Sequence, residues 1–180
     1  DYNDGQPGDT EVLEKYLNKF TKPATLYYEG CSMTAIWGVR SLGIDPATGQ
    51  EMFLTKDGRS TYTWSSADQV VIGDTSPKMS GTLNLNAGYK GFTFSASCSY
   101  KFGGDLYNSE LVARMENING QSNLDRRLFK AWQKVGDVAP YKVTVISSGS
   151  TNYTKPTSRF VQKNNELYIS SVNVGYDFAG

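Results

Sequence analysis

The sequence predicts a mainly β, antiparallel chain, and three features carry that expectation. Apolar and polar residues alternate without a break from Phe92 to Phe102; a matching alternation from Thr82 to Tyr89 joins it through Lys90-Gly91; a third alternating run extends from Glu166 to Phe178. Successive strand side chains point to opposite faces, so strict alternation describes a sheet with one apolar and one wet side. Short helices are expected inside the long connection between the second and third of these runs.

Along the chain, the first segment, DYNDGQPGDT, is polar. Leu13, Tyr16, Leu17 and Phe20 then fall at i, i+3, i+4 and i+7, predicting a short helix capped by Asp9 or Thr10 and ended by Lys22-Pro23. From Cys31 to Arg40, Met33, Ala35, Trp37 and Val39 share one face of a predicted strand, with Ile36 the exception. The runs Glu51 to Thr55 and Ser60 to Trp64 flank Lys56-Asp57-Gly58-Arg59, a hairpin signal, and Asp68 to Ile72 adds another extended run. Leu83, Leu85, Ala87 and Tyr89 form one face of the next strand; Phe92, Phe94, Ala96, Cys98, Tyr100 and Phe102 form one face of its neighbour. Gly103-Gly104 is expected to end that strand, with helices over Asp105 to Asn117 and Asn123 to Val135, the latter striped by Leu124, Leu128, Phe129 and Trp132. Pro140 to Pro156 is loop-like. The last strand puts Tyr168, Ser170, Val172, Val174, Tyr176 and Phe178 on one face, and Leu167, Ile169, Ser171, Asn173 and Gly175 on the other.

Composition excludes several function classes. The 180 residues hold 18 basic and 18 acidic side chains, so the cationic surplus of a nucleic-acid binder is absent. With no histidine, Ser-His-Asp and Cys-His activation and HExxH zinc sites fall away. Cys31 and Cys98 form no CxxC pattern, no metal cluster or cofactor motif stands out, and no apolar run approaches the ~20 residues of a membrane helix. The acid pairs Asp105 with Glu110 and Asp125 with Asp137 are the weak candidates for general acid–base work, and the chain is read as no enzyme. It begins at Asp1 without Met and stops at Gly180 after a strand-like run, so it reads as a piece of something longer.

Strand length bears on what covers the apolar face. Eleven residues at ~3.3 Å make roughly 36 Å, and a ~45° tilt leaves about 25 Å, the height of the apolar band of an outer-membrane barrel. Rings lie near the strand ends, as interfacial girdles require, yet soluble antiparallel sheets also alternate. Connections alternate between short (Lys90-Gly91) and long (Ser41 to Gly81, Gly103 to Asn165), as the turns and loops of such barrels do. In that reading Met33 to Val39 and Phe92 to Phe102 run outward, Leu83 to Tyr89 and Leu167 to Phe178 inward. Leu83, Leu85, Tyr89, Phe92, Phe94, Tyr100, Phe102, Val172, Val174 and Tyr176 then face lipid.

Several runs carry a family resemblance: Tyr28-Glu29-Gly30-Cys31-Ser32-Met33-Thr34-Ala35-Ile36-Trp37, Ser41-Leu42-Gly43-Ile44-Asp45-Pro46-Ala47-Thr48-Gly49, Gly73-Asp74-Thr75-Ser76-Pro77-Lys78, Tyr89-Lys90-Gly91-Phe92, Gly103-Gly104-Asp105-Leu106-Tyr107-Asn108, and Ser158-Arg159-Phe160-Val161-Gln162-Lys163-Asn164-Asn165. In order and spacing they resemble the C-terminal barrel region of SusC-like TonB-dependent outer-membrane receptors. The resemblance implies a partial transmembrane β-barrel: residues 1–27 a polar and helical turn region, 28–178 barrel strands and extracellular loops, and the family's plug domain not included. It also implies a Gram-negative outer-membrane parent importing glycans or peptides, driven through TonB and lidded by a SusD-like lipoprotein.

For such a fragment the candidate ligand contacts are the loop residues Trp64, Tyr107, Arg126, Arg127, Trp132, Tyr141 and Tyr153, because sugars stack on rings and need convergent hydrogen bonds. For each, packing or local ion pairing is the plainer role: Trp132 against its own loop, Arg126-Arg127 against Asp125 or Asp105. The alternative is a soluble, secreted β-rich carbohydrate-binding or adhesin module, which requires the faces of Phe92 and Phe94 to be covered by another sheet or helix.

Overall fold

The computed structural model describes residues 21–118, 125–143 and 153–178. These residues are mainly β and fall into two compact units, one drawn from 21–73 and 107–162, the other from 74–106 and 163–178. The expected helix through Leu13, Tyr16, Leu17 and Phe20 lies outside the described residues.

In the first unit, β1 (Ala35–Gly38) pairs with β5 (Val70–Asp74), and β2 (Arg40–Ile44), β3 (Glu51–Leu54) and β4 (Ser60–Thr61) form an antiparallel sheet. The hairpin expected at Lys56 to Arg59 is present, with Gly58 at φ 80° and Phe53 opposite Thr61. The Cys31 to Arg40 reading needs correction. The first strand there is confined to Ala35–Gly38, all four residues buried, and Arg40 already opens β2, whereas Met33 is 76% exposed. Both sides of β1 are covered, so its period of two does not separate a core face from a wet one. Gly38 shows how close the cover is: a Cβ there would lie 2.6 Å from Ile72 Cδ1 and 3.0 Å from the Pro156 carbonyl oxygen.

Two helical readings shorten. The single α-helix among the described residues, α1, spans Ser109–Met115. Asn108 caps it, its Oδ1 accepting the Leu111 N–H at 2.8 Å, and Leu111, Val112 and Met115 pack with Phe160 into a buried cluster. Residues 105–107 belong to the preceding strand instead. Within the Asn123 to Val135 stretch, only Arg126–Lys130 is helical, as a 3-10 turn capped by Asp125; Asn123 and Leu124 lie outside the described residues.

The second unit is one sheet in the order β6 (Met79–Tyr89), β7 (Phe92–Tyr107) and β8 (Val161–Tyr176). The Lys90-Gly91 turn has positive φ at both residues, 45° and 84°, the geometry whose twist matches a two-residue hairpin. Gly103-Gly104 does not end β7. Gly103 takes φ 82°, Lys78 methylenes lie over it, and its N–H donates to Asn165 Oδ1 at 2.9 Å, so the left-handed residue is absorbed within the strand.

Replacing Gly38 by Ala is expected to destabilise the chain by ~1–3 kcal/mol through overpacking. At Gly88, whose nearest contact for a Cβ is 3.7 Å, the same change is expected to stay within ~0.5 kcal/mol. Urea midpoints of the two variants test the contrast.

Candidate functional site

The sheet of the second unit has two chemically distinct faces, and its register makes them so. Across β6 and β7, Leu83 stands opposite Cys98, Leu85 opposite Ala96, Ala87 opposite Phe94 and Tyr89 opposite Phe92. On the β8 side, five contacts keep one register: Phe92 with Tyr176 (ring centroids 4.5 Å apart), Gly91 O with Asp177 N–H, Ser95 Oγ with Asn173 Nδ2, Gly103 with Asn165, and Asp105 with Lys163. Even-numbered β7 residues and their partners therefore build an apolar face, odd-numbered ones a polar face.

The apolar face is aliphatic in its middle and ringed at its ends. Phe92 packs tilted against Tyr176 and Tyr176 edge-to-face against Phe178 near the hairpin, with Lys90 Nζ 5.4 Å from the Tyr89 centroid; Tyr100 and Phe102 lie 5.8 Å apart at the other end. Phe92 and Phe94 are 58% and 41% exposed. Tyr100 lies across Gly81, where a Cβ would meet its hydroxyl at 2.7 Å. The polar face carries a shallow groove of about 500 Å³ near the hairpin, lined by Asn86, Gly88, Thr93, Ser95, Asn173 and Gly175.

The first unit is organised around a charge. Arg159 is 13% exposed and reaches two buried carboxylates. Its Nε and Nη2 donate to Glu51 at 3.1 and 2.7 Å, and its Nη1 lies 2.7 Å from Glu116 Oε1. Nη1 also donates to the Pro140 carbonyl at 2.8 Å, and the guanidinium sits 4.5 Å over the Phe160 ring. Glu116 is satisfied further by the Lys142 N–H (3.2 Å) and the Thr154 hydroxyl (2.8 Å). Burial works against the Arg159 charge, but the hydrogen bonds it donates to Glu51 and Glu116 outweigh it and lift the guanidinium above its ordinary range. Burial also lowers the Lys142 ammonium, opposed by the charges of Glu116 and Glu51. One planar fork thus ties β3, the end of α1, the Pro140 loop and the approach to β8.

The loop residues expected from sequence to touch ligand are placed as follows. Trp64 donates its indole N–H to the Pro156 carbonyl (3.1 Å), and Trp132 donates to Pro46 (3.0 Å) while covering Gly49. Tyr107 packs edge-on to Phe160 at 6.3 Å, where burial raises its phenol above the ordinary value, and Tyr141 joins the same cluster. Arg127 grips Asp125 with contacts of 2.7–3.2 Å; hydrogen bonds from its side chain and N–H hold that carboxyl at about 2. Arg126 and Tyr153 are exposed. Tyr107 and Tyr141 are therefore brought together, but inside a packed cluster; the seven do not converge on one cleft.

The acid pairs are likewise engaged separately: Asp105 with Lys163 at 2.6 Å, Asp125 with Arg127, and Asp137 with the N–H groups of Gln133 and Lys134. Glu51, Glu116 and Arg159 were missed by sequence reasoning. Nothing local marks them, since Arg159 and Glu51 are 108 residues apart.

Replacing Arg159 by Met leaves two carboxylates buried without their cation and is expected to cost ~3–5 kcal/mol. Truncating the exposed Arg127 is expected to leave the midpoint close to that of the parent protein, because water screens its pair with Asp125. Denaturant midpoints of the two variants measure the difference.

No protein-family model matches the chain. It is 25% identical over 140 residues to TonB-dependent receptor P3 of Formosa agariphila, covering 78% of this chain and 13% of the relative. With TonB-dependent receptor P39 of the same organism it shares 26% over 112 residues, covering 62% and 11%. Solved structures of the RagAB peptide transporter, and of the RagAB peptide importer in its closed-closed state, superpose with TM-scores of 0.57 at 18% and 20% identity, over 79% of this chain and 16% of theirs. The chain thus spans only 11–13% of the length of these curated relatives. The matches bear out the resemblance to a stretch of SusC-like TonB-dependent receptors.

Proposed function

We propose, taking the chain as a fragment of a SusC-like TonB-dependent receptor, that β6–β8 form part of the wall of an outer-membrane importer. The apolar face stands against lipid and the polar face against the aqueous interior. The observation that carries this reading is the exposed apolar face. Leu83, Leu85, Phe92, Phe94, Val172 and Val174 remain exposed in a sheet whose other side is mostly Ser, Thr, Asn and Gly, with Lys101, Leu167 and Ile169 toward its far end. In water such a surface is unfavourable by ~25 cal/mol per Å² left uncovered; hydrocarbon removes that cost. Tyr89, Tyr100, Phe102 and Tyr176 near the band's ends suit the headgroup boundary, where a ring is apolar in body and wet at its rim.

In this reading 28–178 supplies wall strands and mouth loops. The first unit, braced by Arg159, belongs to the outer mouth and presents Arg126 and Tyr153 to cargo or to a SusD-like lipoprotein. The complete protein imports an oligosaccharide or peptide, is energised through TonB and catalyses no reaction. The names of the relatives, receptors and a peptide importer, support transport over catalysis. The soluble-module reading needs a cover over Phe92 and Phe94, and no element among the described residues supplies one.

Cysteine labelling tests the wall. Cys98 lies on the apolar face opposite Leu83, whereas Cys31 is exposed in the first unit. In whole cells making the full reading frame, with Cys31→Ser and Cys98→Ser variants isolating each thiol, a membrane-impermeant maleimide is expected to modify Cys31 and to spare Cys98 until the protein is denatured. Rapid modification of Cys98 in intact cells would rule out lipid contact.

A further inference from the structure

The polar face changes character along its length. Near the hairpin it is uncharged, with Asn86, Ser95 and Asn173 in one cross-strand row. At the far end it gains lysines. Lys163 is neutralised by Asp105 at 2.6 Å, and Lys78, over Gly103, lies within the field of the same carboxylate, whose other oxygen accepts the Asp74 N–H. Lys101, opposite Ser80, makes no ion pair among the described residues. The constant β7–β8 register sets Leu167 beside Lys101 and Ile169 beside Ser99, on this otherwise polar face. Leu167 and Ile169 are 66% and 63% exposed, and between the hairpin and Gly103 no described aromatic ring shares the face with them; Tyr107, further along β7, is packed against Phe160.

We propose that this patch, Lys101 with Leu167 and Ile169, is a contact site for an acidic, partly apolar peptide, a cargo class that rests on the importer reading above. A free ammonium next to two exposed aliphatic side chains complements a carboxylate next to an apolar side chain. A sugar ring stacks on aromatic faces, and this stretch of the face offers none. Ser and Asn hydroxyls and amides along the same wall match the donors and acceptors of an extended peptide backbone.

The test uses the full-length protein in detergent and three probes: an octapeptide alternating Glu and Leu, its Gln–Leu analogue, and oligogalacturonate, each titrated by calorimetry at two salt concentrations. The acidic peptide is expected to bind more tightly than the analogue and to weaken with salt. Lys101→Gln is expected to loosen it about three- to fivefold, and the double change Leu167→Ser with Ile169→Ser about tenfold or more. Lys90→Gln, at the hairpin, is expected to leave it unchanged. Heat-modifiable gel mobility confirms that each variant is folded. Absence of binding by every probe, indifference of peptide binding to both patch variants, or oligogalacturonate binding as tightly as the peptide overturns the proposal. Cys98 labelling separates the failures: a shielded Cys98 with no peptide effect sinks only the cargo assignment, whereas an accessible Cys98 sinks the importer reading itself.

Discussion

Everything proposed for the sheet depends on cross-strand register. Each apolar residue of β7 faces an apolar or small partner on β6, and the aromatic pair Phe92–Tyr176 holds β8 in phase with both. Because the strand period is two, a slip of one residue would carry Phe92, Phe94 and Tyr100 to the wet side and Ser95, Ser97 and Lys101 to the apolar one. Two local features resist that slip. The Lys90-Gly91 turn fixes the β6–β7 offset through its positive φ angles, and Gly81 accepts the Tyr100 ring where any side chain would collide. A sheet built this way has no interior of its own. Its stability is completed by whatever lies against the apolar face.

The other unit is held by different physics. Its strands have two to five residues, too short to bury much area, and its buried cluster of Leu111, Val112, Met115 and Phe160 is small. Arg159 compensates by joining segments distant in sequence with directional bonds. Its fork meets Glu51 nearly side-on, its remaining nitrogen, Nη1, reaches both Glu116 and Pro140, and its flat face rests on Phe160. A lysine cannot reproduce that geometry, because an ammonium has no plane to share between two carboxylates and a ring. Burying three charges is costly, so the cluster holds only because nearly every oxygen in it has a partner.

The same contrast explains which parts were legible in the residues alone. Thr82 to Tyr89, Phe92 to Phe102 and Glu166 to Tyr176 were readable as strands because alternation is a local signal, and the two-residue turn announced their pairing. The readings that failed relied on local cues overruled by neighbours. Gly103-Gly104 resembles a strand terminator, but Lys78 and Asn165 enclose it within β7. Alternation from Met33 to Val39 suggested a half-exposed strand, but β5 and Pro156 bury both sides of β1. Trp132 formed part of a helical stripe on paper; in the fold its ring covers Gly49 and its N–H is taken by Pro46, so the segment is held as a turn instead.

Periodicity and turn chemistry, then, were enough to establish a two-faced antiparallel sheet and the residues on each face, since both depend on neighbours one or two positions away. Which face is left uncovered, where the loop aromatics pack, and the union of Glu51, Glu116 and Arg159 were decided by the tertiary structure. Those outcomes depend on segments dozens of residues apart meeting in space, and no period or spacing in the chain encodes that meeting.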